Sequence, residues 1–184
     1  MGTRAKDARR LRVPLFISEF GACFTDGPCQ QEVNQLADVA DEHLIGWAYW
    51  QLKTYADLTT SAGTSSEGVY NPDGTLQAFK VKALARSYIQ KTQGVPSKQQ
   101  FDTATGNFTF EFAVDTSISS PSVGFFSSEY YYPKSFTYSL KNSSGSDISN
   151  DSYNAELTDN YFTFAITDET LNGETVTLEV LPKQ

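Results

Sequence analysis

Leu15-Phe16-Ile17-Ser18-Glu19-Phe20-Gly21 is the stretch on which the reading of this chain turns. After Pro14 the residues up to Glu19 are nearly all apolar or small. The run then ends in a carboxylate, an aromatic ring and a glycine. Such a run reads as a strand covered on both faces that delivers one acid to the rim of a sheet. In a β/α barrel the chemistry sits at the C-terminal ends of the parallel strands. Glu19 is therefore the first candidate for a catalytic group. An acid after an apolar run is more often a solvated strand end, and the rest of the chain has to decide between the two.

Downstream, Asp26 is a candidate helix N-cap with Pro28 in the first turn. Val33, Leu36, Ala37 and Ala40 then recur at helical spacing, with Glu32, Gln35, Asp38 and Asp41 on other faces. His43 follows the end of this helix, where the bland role is contact with its last carbonyls. Leu44-Ile45-Gly46-Trp47-Ala48-Tyr49-Trp50-Gln51 is a second apolar run. Strand alternation puts Trp47 and Tyr49 on one face and Ala48 and Trp50 on the other. Strand, helix and strand in this order make a βαβ unit and a parallel sheet. Lys53 to Pro72 is polar and rich in Thr, Ser and Gly, the composition of an active-site loop. Asn71-Pro72-Asp73-Gly74 signals a turn. Leu76, Phe79, Val81, Ala83, Leu84, Tyr88 and Ile89 predict a second amphipathic helix that stops at Gly94, with Pro96 beyond. Two βα units cannot close a barrel, which needs eight and about 250 residues. The first half is thus a piece of a larger barrel or a small open sheet.

Composition changes at Gly94-Val95-Pro96-Ser97, which divides the chain into domains 1–96 and 97–184. Phe108, Phe110, Phe112 and Val114 alternate on one strand face. The same period of two returns in Phe136/Tyr138/Leu140, Phe162/Phe164/Ile166 and Val176/Leu178/Val180, with Val123 to Phe126 a shorter candidate. Turn clusters separate these runs, as expected for an antiparallel β-sandwich. Tyr130-Tyr131-Tyr132 stands apart, because three consecutive tyrosines cannot all face one core from a strand. Packing on the barrel, contact with lipid or sugar, and edge decoration remain open for them.

The net charge of −8 lies wholly in the second domain. Residues 1–96 carry ten basic and ten acidic side chains, and residues 97–184 carry four and twelve. An acidic domain repels phosphate backbones, so nucleic acid is not an expected partner. No apolar run reaches the length of a membrane span. Met1 to Arg10 is basic but is followed by no apolar region, so no signal peptide is expected in this chain. A single histidine and two cysteines predict no metal site and no cofactor. Cys23 and Cys29 form either a small disulfide loop or two free thiols. Sequons at Asn107, Asn142 and Asn150 speak for an oxidising compartment.

Taken in order, these motifs resemble glycoside hydrolase family 5, and within it the endoglycoceramidase branch. Ile17-Ser18-Glu19-Phe20-Gly21 is similar to the seventh barrel strand of a retaining glycosidase, and Gly46-Trp47-Ala48-Tyr49-Trp50 to the eighth. Gly68-Val69-Tyr70-Asn71-Pro72-Asp73-Gly74 with the following helix resembles the end of that barrel, and a C-terminal β-sandwich follows. The fold implied is α/β plus all-β: the incomplete C-terminal part of a TIM (β/α)8 barrel, then an antiparallel β-sandwich. The resemblance implies Glu19 as nucleophile and Trp50 as the floor under the sugar bonded to ceramide. Gln51 and Lys53 follow the strand end and are expected to reach sugar hydroxyls. The implied substrate is a glycosphingolipid or another β-glycoside, with peripheral contact to a neutral membrane surface. The full-length protein is expected to be secreted or endolysosomal.

The same chemistry exposes a gap. A retaining glycosidase needs two carboxyl groups about 5–5.5 Å apart. The family's acid/base Glu follows an Asn, and no Asn-Glu pair occurs here. Only thirteen residues precede Pro14, too few for six further strands. Asp57 and Glu67 lie in the loop after the eighth strand, but nothing around either in the sequence suggests the raised pKa of a general acid. A fragment or truncated product with no turnover of its own is expected. The competing class is a non-catalytic β-sandwich module that binds carbohydrate, lipid or another protein.

Overall fold

The computed structural model describes residues 2–21, 27–53 and 64–184. The chain forms two compact units, Met1–Ala85 and Arg86–Gln184.

The first unit is helical around one parallel strand pair. Its elements are α1 (Gly2–Leu11), β1 (Phe16–Gly21), α2 (Gly27–Glu42), β2 (Gly46–Trp50), α3 (Thr64–Glu67) and α4 (Ala78–Leu84). β1 and β2 run parallel, with Phe16 opposite Gly46 and Gly21 opposite Trp50. Of the stripe that its spacing announced, Val33, Ala37 and Ala40 are buried and Leu36 is half-buried; Cys29 joins them, and Asp41, expected on another face, is buried too. Part of that stripe meets Ala83, Phe20, Tyr49, Phe79 and Leu84. The other part meets Ala5, Ile45, Leu15, Ile17 and Trp47. Phe20 stands edge-on between Trp47 and Tyr49, at 5.4 and 5.5 Å, a favoured aromatic geometry. Trp47 and Tyr49 thus occupy the helix-covered face of the strand pair, as alternation required. α2 ends without glycine: Leu44 takes φ 54°, and the Ile45 N–H bonds back to the Ala40 carbonyl at 2.8 Å, a Schellman-type stop. The basic N-terminal segment is α1, with Ala5 and Ala8 buried and Arg9 and Arg10 in its last turn, where they suit the helix dipole.

The second helix is shorter than its spacing predicts. α4 stops at Leu84, and Tyr88–Lys91 is already β3 of the second unit, followed by β4 (Gly94–Phe101). The division between the units therefore falls after Ala85, not after residue 96. The aromatic and β-branched residues of the predicted helix end pair in a sheet instead: Tyr88 lies opposite Phe125 and Ile89 opposite Gly124. Pro96 does not end a helix. It lies in the edge strand β4, where the register shifts between Pro96 and Lys98, a position proline tolerates.

The remaining strands are β5 (Phe108–Val114), β6 (Ser122–Phe125), β7 (Phe136–Lys141), β8 (Tyr153–Thr158), β9 (Tyr161–Ile166) and β10 (Thr175–Pro182). They complete two four-stranded antiparallel sheets, ordered β4-β5-β10-β7 and β3-β6-β9-β8. The alternating residues of β5, β9 and β10 fill the space between the sheets. Phe112 meets Phe164 across it at 5.9 Å, and Phe108 meets Phe126 at 5.3 Å. Each such side chain contributes roughly 1.5–3 kcal/mol of apolar burial. Gln93 pins the corner between β3 and β4: its Nε2 donates to the Ile118 and Ile166 carbonyls, both at 3.1 Å, and its Oε1 accepts from the Ile166 N–H at 2.8 Å.

Two members of the tyrosine run, Tyr131 and Tyr132, are buried. Tyr131 meets Phe101 edge-on at 4.8 Å. The Tyr132 hydroxyl donates to the Gly106 carbonyl at 2.7 Å and pairs with the Ser87 hydroxyl at 3.0 Å. They sit in a tight turn, in which the Ser127 carbonyl accepts from both of their N–H groups. Strand alternation does not apply there, so neighbours can point the same way.

Candidate active site

The two strand ends that carry Glu19 and Trp50 lie side by side, because β1 and β2 are parallel and Gly21 pairs with Trp50. That pairing requires glycine. Gly21 has φ 155°, and a Cβ there would run into the Trp50 carbonyl oxygen. Between Ile17 and Phe20 the register slips, so that Ser18 and Glu19 stand opposite Ala48 alone. A bulge of this kind re-aims a side chain and is common next to active sites. Glu19 is exposed, and among the described residues no hydrogen bond or ion pair engages it. Trp50 is 39% exposed, on the strand face away from Trp47 and Tyr49. The Trp50–Gln51 peptide is cis.

Gln51 is half-buried, and its Nε2 lies 3.4 Å from the Glu67 carboxylate. Its backbone N–H donates to the Glu67 carbonyl at 2.8 Å. Lys53 is exposed. Glu67, one of the two substitute acids in the loop, is buried beside this strand end. It also acts on Tyr49, whose phenol is pushed up to about 12, first by burial and then by the Glu67 charge. Asp57 lies outside the described residues, as do Asp26 and Cys23. Cys29 is disulfide-bonded. Among the described residues no group of three His, Cys, Asp or Glu is arranged to hold a metal.

Sequence reasoning missed Lys80. Its side chain is fully buried, and Nζ donates to the Ser66 carbonyl at 2.7 Å and the Gly68 carbonyl at 3.0 Å. Desolvation brings its pKa down to about 8. A lysine on an amphipathic helix is ordinarily read as solvent-facing, and no local signal marks this one.

Two family profiles match the chain. The cellulase (glycosyl hydrolase family 5) profile matches residues 1–56, and the glycoside hydrolase family 5 C-terminal domain matches residues 86–180. The chain belongs to glycoside hydrolase family 5. Endoglycoceramidase I of Rhodococcus hoagii is 31% identical over 127 residues, which is 69% of this chain and 21% of that protein. Endoglycoceramidase of Cyanea nozakii is 24% identical over 134 residues, 72% of this chain and 27% of that protein. The solved structure of endo-glycoceramidase II from Rhodococcus sp. superposes with a TM-score of 0.71 at 21% identity, over 98% of this chain and 36% of that one. This family 5 chain thus spans about a quarter of the length of the curated relatives it matches. Its fold is the last part of a barrel followed by a β-sandwich.

Proposed function

We propose that this chain is the C-terminal part of a retaining glycosidase that cleaves the bond between an oligosaccharide and ceramide. The observation that carries the reading is the placement of an exposed Glu19 and of Trp50 at the same end of two parallel, paired strands, where barrel chemistry belongs. The names of the relatives supply the substrate class. In the proposed reaction the Glu19 carboxylate attacks the anomeric carbon while an acid from elsewhere in the barrel protonates the departing ceramide oxygen. Water, activated by that same group, then hydrolyses the glycosyl ester and frees Glu19. Trp50 offers an apolar ring face to the sugar, and Gln51 and Lys53 stand near enough in sequence to meet its hydroxyls. No Asn-Glu pair occurs in these 184 residues, so the acid/base is proposed to come from elsewhere in the barrel and no turnover is expected from the chain alone.

The compartment proposed for the full-length protein is secreted or endolysosomal, which the Cys29 disulfide supports. Its proposed membrane contact is peripheral and with neutral lipid, since the second half of the chain is acidic. A pure binding module leaves the glycine-enforced pairing of the Glu19 and Trp50 strand ends without a purpose. The test joins the chain to the remaining barrel units and assays a glycosphingolipid and an aryl β-glucoside. Glu19→Gln is expected to abolish turnover and leave unfolding of the second unit unchanged. Retained hydrolysis in that variant would overturn the assignment.

A further inference from the structure

The strand end that carries Trp50 is held by residues from the next helix. The chain leaves β2 at Trp50 and later returns beside it. The Gln51 N–H donates to the Glu67 carbonyl at 2.8 Å, and the Val69 N–H to the Leu52 carbonyl at 3.3 Å. The Gln51 side-chain amide lies against the Glu67 carboxylate as well, at 3.4 Å. The returning segment is itself gripped by α4 and its leading residue. Lys80 Nζ takes the carbonyls of Ser66 and Gly68. Gln77 Nε2 takes those of Gly68 and Tyr70, at 3.2 and 3.1 Å, and its N–H donates to the Val69 carbonyl at 2.8 Å. Carbonyls 66, 68 and 70 thus turn to Gln77 and Lys80, while residue 67, between the first two, turns to Gln51.

We infer that Lys80 is a positioning residue for the Trp50–Gln51 strand end: it holds the Ser66–Gly68 segment where Glu67 fixes Gln51, and so sets where the Trp50 indole stands. Burying an ammonium group without exposure is costly, and a methionine of similar length would fill the same space without that cost. What methionine lacks is the donors, and the Nζ bonds to Ser66 and Gly68 both end on backbone carbonyls of the returning segment. These two bonds act on the path of that backbone. The catalytic consequence rests on the sugar site proposed at Trp50, but the contacts themselves do not.

The test reads the indole directly. The chain has two tryptophans, so 5-fluorotryptophan labelling gives two fluorine resonances, and Trp50→Phe identifies that of Trp50. Lys80→Met is expected to shift or broaden the Trp50 resonance while leaving that of Trp47. Amide exchange at Gln51 and Val69 should quicken by on the order of tenfold or more. Lys80→Arg, which keeps donors, should restore part of both, and Lys82→Met on the same helix should change neither. An unmoved Trp50 signal, or equal movement of Trp47, would overturn the inference. Should Lys80→Met not fold, the unmodified chain decides by exchange alone. Gln51, Val69 and Lys80 amides are expected to open together, and faster independent opening at Gln51 would sink the coupling. These readouts need no substrate, so their failure would leave Glu19 untouched, and failure of Glu19 would leave Lys80 untouched.

Discussion

Replacing Gln93 by leucine tests where the first unit ends. An amphipathic helix ending at Gly94 would put the polar Gln93 in its last turn on the solvent side, where the change would be almost neutral. The structure puts it at a buried corner, with its amide on both main-chain groups of Ile166 and on the Ile118 carbonyl. Leucine keeps the size and removes every donor and acceptor. Ile166 is buried, so its N–H and carbonyl lose the Gln93 amide where water does not reach. At about 1–3 kcal/mol for each such group the loss is roughly 2–6 kcal/mol. The Ile118 carbonyl belongs to a half-buried residue and adds little. Added apolar burial returns about 1–2 kcal/mol, so the midpoints of these ranges leave a net destabilisation of about 2.5 kcal/mol. For a unit of this size, each kcal/mol lowers Tm by about 4–8 °C, so a fall of about 10–20 °C is expected. Urea and thermal unfolding of the sandwich, followed by circular dichroism, measure it. A shift under about 2 °C would refute the pinned corner and favour the helix.

Two further outcomes follow from the geometry. Gly21→Ala drives a methyl into the Trp50 carbonyl and should loosen the β1–β2 pair by about 2–4 kcal/mol, seen as faster amide exchange at Gly46–Trp50; unchanged exchange would deny the close approach. Burial pushes the Tyr131 phenol up to about 12 and raises that of Tyr132 further. In the unfolded chain both ionise near the ordinary value of 10.0. Their contribution is therefore complete below that pH and is lost as pH climbs toward the folded values, about 3 kcal/mol from Tyr131 alone. Unfolding free energy against pH, with tyrosinate absorbance, should fall in that window, and the fall should shrink in Tyr131→Phe by the Tyr131 share while that of Tyr132 remains.

Legibility in the sequence follows burial. β5, β9 and β10 are plain because each buries one face, so the period of two survives intact. β1, α2 and β2 are plain for their apolar content, although Glu19 gains meaning only from the strand beside it. β4 and β8 are edge strands with mostly exposed residues, and β3 is four residues long. With so little apolar pattern they merge into a helix or a loop when read from sequence. The tyrosines mislead because alternation fails where the chain is a turn. Lys80 is invisible for a different reason. Its role lies in carbonyls of residues 66 and 68, more than ten positions away, and no side-chain pattern encodes them. The Gln51–Glu67 contact, 16 residues apart, is of the same kind.

The central claim is that Glu19 forms the glycosyl-enzyme. It is tested most directly by joining the chain to the remaining barrel units and treating it with an activated fluoro-sugar. Such a leaving group needs no proton, so the acid/base is not at issue. Digestion and mass spectrometry then locate the sugar. A covalent adduct on the peptide carrying Glu19, absent in Glu19→Gln, is the result expected. An adduct on another carboxylate, or none while the substrate is still hydrolysed, would contradict the account.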